Sequence, residues 1–136
     1  MHSTNYTHTL IEIAEDCPAT AGEVPPIKGN KKSVATMQLE MLAAQPPYTY
    51  TSDDVLFTVF ATRQEIPVEA WAEERARFFS KGQPCFRASP LTKRYGWGVH
   101  SNEEGKIALY GAETQAYREL IAAEAITKKK AMRSKK

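Results

Sequence analysis

Ser89-Pro90-Leu91-Thr92-Lys93-Arg94-Tyr95-Gly96-Trp97-Gly98-Val99-His100 packs hydroxyls, cations, aromatics, two glycines and a histidine into twelve positions. It closes a stretch, Arg75 to Tyr95, that holds six basic residues and no acidic one. Arg87, Lys93 and Arg94 offer charge-assisted donors to a phosphate or carboxylate. Tyr95 and Trp97 offer ring faces for stacking, worth about 1–3 kcal/mol per base in single-strand nucleic-acid binders. Ser89 and Thr92 add hydroxyl donors, while Gly96 and Gly98 let a ligand come close to the backbone. The chemistry implied is recognition of an anion. The spacing matches no phosphate loop, dinucleotide glycine pattern or ribonucleoprotein signature. An architectural reading competes with it: the approach to a hairpin, with Trp97 in the core, glycines at a bulge and cations in solvent.

A thiol site is the second candidate. Cys85 precedes His100 by fifteen residues, and its basic neighbours favour a thiolate. If the chain folds back, Cys85 and His100 form a nucleophile and base, with Arg94 as anion stabiliser. Against this, free cysteines are among the most buried residues, and no nucleophile signature surrounds Cys85. His2, His8, Cys17 and His100 lack the close spacing of a structural zinc site, so neither metal nor cofactor is expected. Asp53-Asp54 reads as a turn before a strand. Glu73 and Glu74 point apart on a helix, and Glu73 reaches Arg77 in a surface pair worth about 0.3–0.5 kcal/mol.

These groups must be held by a chain of 136 residues, which suits one domain with its own core. No run approaches the roughly 20 apolar residues of a membrane span, so no membrane partner is expected. Met1 to Asn5 carries neither a basic patch nor an apolar run, so no signal peptide is expected. Two cysteines far apart fit a cytoplasmic protein with reduced thiols. The net charge of +2 conceals an asymmetry. Residues 128–136 hold six cations and no acid, leaving twelve basic against sixteen acidic residues over 1–127, a net of −4. The expectation is a domain over 1–127 and a self-repelling, frayed basic tail over 128–136.

Thr7 to Ala14 reads as a strand ended by Pro18, and 21–32 as loop. Ser33 caps a helix that Pro46-Pro47 closes. Val55 to Arg63 alternates like a central strand with two apolar faces. Val68 to Ser80 reads as a helix, with Gly82 as its left-handed cap. Cys85 to Arg87 is a short strand or loop. Trp97–Ser101 and Lys106–Tyr110 form a hairpin across Asn102-Glu103-Glu104-Gly105. A last helix from Glu113 runs into the tail. The order β-α-β-α-β-β-α implies an α+β fold, one small mixed or antiparallel sheet with helices packed on it.

Several segments resemble a small bacterial family whose domain has no assigned function. They are Ser3-Thr4-Asn5-Tyr6, Ile11 to Pro18, Pro47-Tyr48, Tyr50 to Val55, Phe79 to Gln83, Ser89 to Gly98 and Ala131 to Lys135. The resemblance spans nearly the whole chain. It implies bacterial origin and brings no activity, cofactor or catalytic residue.

Three functions follow, in order. The first is a binding module for a small anionic ligand or a nucleic acid through Arg87, Ser89, Thr92, Lys93, Arg94, Tyr95 and Trp97. The second is a small enzyme at Cys85 and His100. The third is a homo-oligomer formed through exposed aromatics, because thirteen aromatic residues are many for one small sheet to cover.

Overall fold

The computed structural model describes residues 2–134. It is an α+β fold with one mixed sheet. Strand β1 (Thr9–Glu12) is followed by helices α1 (Val34–Ala43), α2 (Ser52–Arg63), α3 (Trp71–Phe78) and α4 (Pro90–Lys93). The hairpin β2 (Trp97–Ser101) and β3 (Ile107–Gly111) comes next, then α5 (Gln115–Ala122) and β4 (Thr127–Lys130). The sheet order is β3-β2-β1-β4, with β1 antiparallel to β2 and parallel to β4.

Val55 to Arg63 is helical, not a strand. The start is fixed by a capping box: Asp54 N donates to Thr51 Oγ1 at 3.1 Å, and Thr51 N donates to Asp54 Oδ2 at 3.0 Å. The misleading alternation has a physical cause. Residues two apart on a helix sit about 200° apart around the axis, on nearly opposite faces. Val55 and Val59 join one apolar cluster, with Ile11, Val99 and Ile107 of the sheet. Phe57 and Ala61 join another, with Phe79, Trp71 and Phe78. A helix covered from both sides therefore buries every second residue.

Upstream of it, α1 begins at Ser33 as expected, whose Oγ accepts from Thr36 N at 3.2 Å. The hairpin also forms, turned by Gly105 at φ +79° and by Asn102 Oδ1, which accepts from Glu104 N and Lys106 N. Gly82 does not cap α3, whose last residue is Phe78 and whose C-cap is Phe79. Cys85 precedes a single 3-10 turn, Phe86–Ala88.

The basic tail is a further correction. α5 stops at Ala122, and Lys128, Lys129 and Lys130 lie in β4 rather than fraying. Thr127 N donates to His8 O at 2.8 Å and Ala131 N to Glu12 O at 2.9 Å, so β1 gains a parallel neighbour. Ala131 is buried, and Lys130 reaches Glu15 at 3.5 Å. Backbone pairing, one buried methyl and separate partners for each cation offset the repulsion: Lys128 Nζ donates to Ala123 O and Lys129 lies over the Tyr6 ring. Lys135 and Lys136 lie outside the described residues.

The two sheet faces differ. Ile11, Val99 and Ile107 face α1, α2 and α4, with Phe86 and Leu91 between. Leu10, Gly98 and Ala108 are on the other face, under α5. There the Tyr117 ring lies flat on Gly98, where any Cβ would overlap it, and the Tyr117 hydroxyl accepts from Ile13 N at 3.0 Å. Four of the thirteen aromatic residues, Phe57, Phe79, Phe86 and Tyr117, are buried and the other nine are half-buried.

The amino-terminal residues are fastened by Asp53, which is 5% exposed. Its Oδ1 accepts from Thr4 N at 2.7 Å and Thr4 Oγ1 at 2.6 Å, and its Oδ2 from Ser3 Oγ at 2.8 Å. The turn carboxylate of the sequence reading is therefore a latch.

Two stability outcomes follow from these contacts. Gly98→Ala costs about 1–3 kcal/mol in urea denaturation through overpacking, and is close to neutral in a Tyr117→Ala background; equal costs in both backgrounds would clear the ring of blame. Asp53→Ala costs about 1.5–3 kcal/mol, the scale of hydrogen bonds to a charged group. A loss below a few tenths would mean that the arm hangs on something else.

Candidate functional site

The residues proposed from sequence do not converge. Thr92 is fully buried, and its hydroxyl donates to Phe86 O at 2.6 Å. Ser89 is 5% exposed and caps α4, accepting from Leu91 N at 3.1 Å while donating to Gln38 Oε1 at 2.8 Å. Both hydroxyls are spent inside the fold. Arg87 is half-buried, and its Nε donates to Lys130 O at 2.8 Å, holding the exit of β4. Trp97 donates from Nε1 to Glu23 O at 2.8 Å, while Glu23 N donates to Tyr95 O at 2.8 Å. The side chains of Lys93 and Arg94 make neither hydrogen bond nor ion pair among the described residues; only their backbone N–H groups bond, to Ser89 O and Pro90 O. Glycine serves packing here too: the Ala21 carbonyl closes over Gly96 as Tyr117 closes over Gly98. Arg87, Ser89, Tyr95 and Trp97 border four different concavities.

Cys85 and His100 do not pair. The Cys85 thiol is 3.5 Å from the Tyr6 hydroxyl and accepts from Arg87 N at 3.4 Å. Tyr6 packs on the α1–α2 side of the sheet, while His100 shares the α5 side with Leu10. The sheet lies between them. The Cys85 contact, then burial, raises the Tyr6 hydroxyl above its ordinary value.

His100 has partners that the sequence did not suggest. Its Nδ1 is 2.8 Å from the Tyr48 hydroxyl, itself 2.7 Å from the Tyr110 hydroxyl. With Nδ1 unprotonated, Tyr48 donates to it and accepts from Tyr110. Tyr48 reaches this position with a left-handed backbone, φ +64°, a conformation costing of order 1–3 kcal/mol outside glycine. Its N–H donates to Ile107 O at 3.0 Å, which pins it along the edge of β3. Burial pushes the Tyr48 hydroxyl well up. Burial first, and His8 second, push the His100 imidazole down.

The strongest gathering of positive charge lies elsewhere. Lys28, Lys31, Lys32, Ser33, Arg63, Tyr95 and Pro26 border an open concavity of about 530 Å³. The lysines sit on a turn in which Lys31 N donates to Lys28 O at 3.4 Å. Arg63, the last residue of α2, donates from Nη1 to Lys32 O at 3.1 Å. Lys32 is also paired with Glu40 at 2.9 Å. Of the sequence candidates only Tyr95 belongs to this group. The run Lys28-Gly29-Asn30-Lys31-Lys32 was a legible signal, but Arg63 was hidden by reading its segment as a strand. Arg63 also borders an apolar cleft of about 250 Å³ between α1, α2 and residues 83–90, which includes Cys85 and Ser89. Chemically the concavity offers several cationic donors and one ring edge to an anion; among the described residues no cluster of His, Cys, Asp and Glu suits a metal.

A family model described as a family of unknown function, DUF6157, matches residues 1–136. No curated protein and no solved structure matches the chain.

The His100 cluster makes stability depend on pH. Its pKa is lowered in the fold from an ordinary value of 6.5, so the unfolded chain takes up a proton first as pH falls. The stability is complete above about pH 6.5–7 and is lost as pH falls through 6.5 toward the lower folded value. The groups involved are Tyr48, Tyr110 and His8. Urea midpoints at pH 7.5 and 5.5 should fall further for the native chain than for His100→Gln; parallel falls would assign the loss to other groups.

Proposed function

The chain belongs to this family of unknown function, which lends it no activity, and we propose on its geometry that it is a binding module for an anionic ligand. The site is the concavity of Lys28, Lys31, Lys32 and Arg63, with Tyr95 at its side. One observation carries the reading. Four cations from two distant parts of the chain converge on one hollow, and the carboxylate paired with one of them, Glu40, is half-exposed on α1. Gathering like charges costs repulsion that a bound anion relieves, and the Arg63 guanidinium is already aimed by its hydrogen bond to Lys32 O.

A small anion suits this hollow better than a nucleic acid does. Among the described residues the other cations are dispersed over α3, α5, β4 and the segments between elements, which favours a compact anion over a long phosphate backbone. The free thiols Cys17 and Cys85 fit a reducing compartment, and among the described residues no helix is long and apolar enough to cross a membrane. A cytoplasmic bacterial protein is the setting we propose.

The test is thermal unfolding with inorganic pyrophosphate as probe, at low and high salt. At a hundred times its dissociation constant a ligand adds about 2.7 kcal/mol of stability. The melting temperature is expected to rise, by less at high salt because surface charge is screened, and to stay put in Lys31→Glu/Arg63→Glu. No rise in the native chain at low salt, or an equal rise in the double variant, sinks the proposal.

A further inference from the structure

The apolar cleft meets the cationic concavity at one residue, Arg63, which borders both. Leu56, Val59 and Phe60 of α2 form one wall, Val34, Phe78, Pro84 and Pro90 add apolar surface around it, and no carboxylate is among the lining residues. Its volume of about 250 Å³ is a little under the roughly 300–1,000 Å³ of sites for drug-sized molecules, which suits a shorter chain or a single ring.

Two polar groups on this wall have unspent donors. Gln38 borders the cleft; its Oε1 accepts from Ser89 Oγ at 2.8 Å, which fixes the carboxamide and leaves its solvent-touching NH₂ able to donate to an acceptor atom in the cleft. Arg63 spends one of its five N–H donors on Lys32 O, which aims the guanidinium and leaves the others for a ligand.

We infer that the ligand is a small amphipathic anion: an acyl or aryl group seated in the cleft, carrying a carboxylate or phosphate held by Arg63 where the cleft meets the lysines. This rests on the anion-binding reading above and deepens it by naming the ligand class. A purely inorganic anion leaves the apolar walls and the Gln38 amide unused. A neutral apolar compound leaves the guanidinium without a counter-charge. One molecule with both parts satisfies the two halves together.

The experiment is titration calorimetry of the full chain with acetate, butanoate, hexanoate, octanoate, octyl phosphate and octanol. Affinity is expected to rise about fourfold per methylene, the roughly 0.8 kcal/mol of a buried CH₂ converted at RT, until the cleft is full. Octanoate or octyl phosphate binds at least tenfold tighter than octanol, and the tighter of the two names the head group. Ala88→Phe, which fills the cleft, weakens octanoate more than tenfold and leaves the pyrophosphate response intact. Octanoate also slows thiol labelling at Cys85, which borders the cleft, and not at Cys17, a readout that needs no variant to fold. If octanoate binds no tighter than acetate, or leaves Cys85 labelling unchanged, while pyrophosphate still stabilises the chain, this inference is overturned and the anion site stands. If octanol binds as tightly as octanoate, the charged head is wrong. If neither pyrophosphate nor octanoate binds, both readings fall.

Discussion

α2 is held from opposite sides, and most of the structure is arranged around that fact. Val55 and Val59 pack toward the sheet, Phe57 and Ala61 toward the aromatic group of Trp71, Phe78 and Phe79. Each buried Val or Phe stabilises by about 1.5–3 kcal/mol, so a rotation of the helix about its axis would forfeit several such terms at once. With its rotation fixed, its two ends are fixed too. At the start, Asp53 meets the amino-terminal arm and Asp54 closes the capping box. At the end, Arg63 arrives beside the lysine turn. Along the side, Leu56 and Phe60 become a wall of the cleft. A candidate site assembled from a turn, a helix end and a loop keeps its shape because the helix between them cannot turn.

How much of this was legible in sequence depends on whether the information was local. Ser33 as a cap and Gly105 in the hairpin turn act on neighbours within a few positions, and both were read correctly. Val55 to Arg63 was misread because alternation is the mark of a strand and equally of a helix between two layers. The capping box at Thr51 and Asp54 was the local sign that could have decided it. The lysines of β4 look like a solvated tail because charge composition is local, whereas the pairing with β1 that orders them joins residues more than a hundred positions apart. The candidate site suffered in the same way. Tyr95 was found, Arg63 was not, and the segment 87–100 drew attention through residue types that the fold uses for support.

That support explains why chemistry-bearing residues crowd the segment. Thr92 satisfies a buried carbonyl, Ser89 the N–H of a helix start and Arg87 the carbonyl at a strand exit, at a tight corner where regular secondary structure offers few partners. Polar side chains take the place of a ladder there. The tyrosines around His100 show the converse. Tyr48 and Tyr110 looked like ordinary aromatics, yet their hydroxyls form a chain with an imidazole on the face that α5 leaves partly open.

The position of β1 carries a consequence for how the molecule comes into being. It is made before the other three strands of the sheet, yet it lies inside the sheet between β2 and β4, and β4 is the last of the four to be made. Both flanks of Thr9–Glu12 therefore lack their partners until β2, and then β4, have been made. Contacts of such long range slow folding, and an unpaired strand with Leu10 and Ile11 at its centre is open to association with other chains in the interval. The nascent protein is most exposed at the place where the finished one is most enclosed.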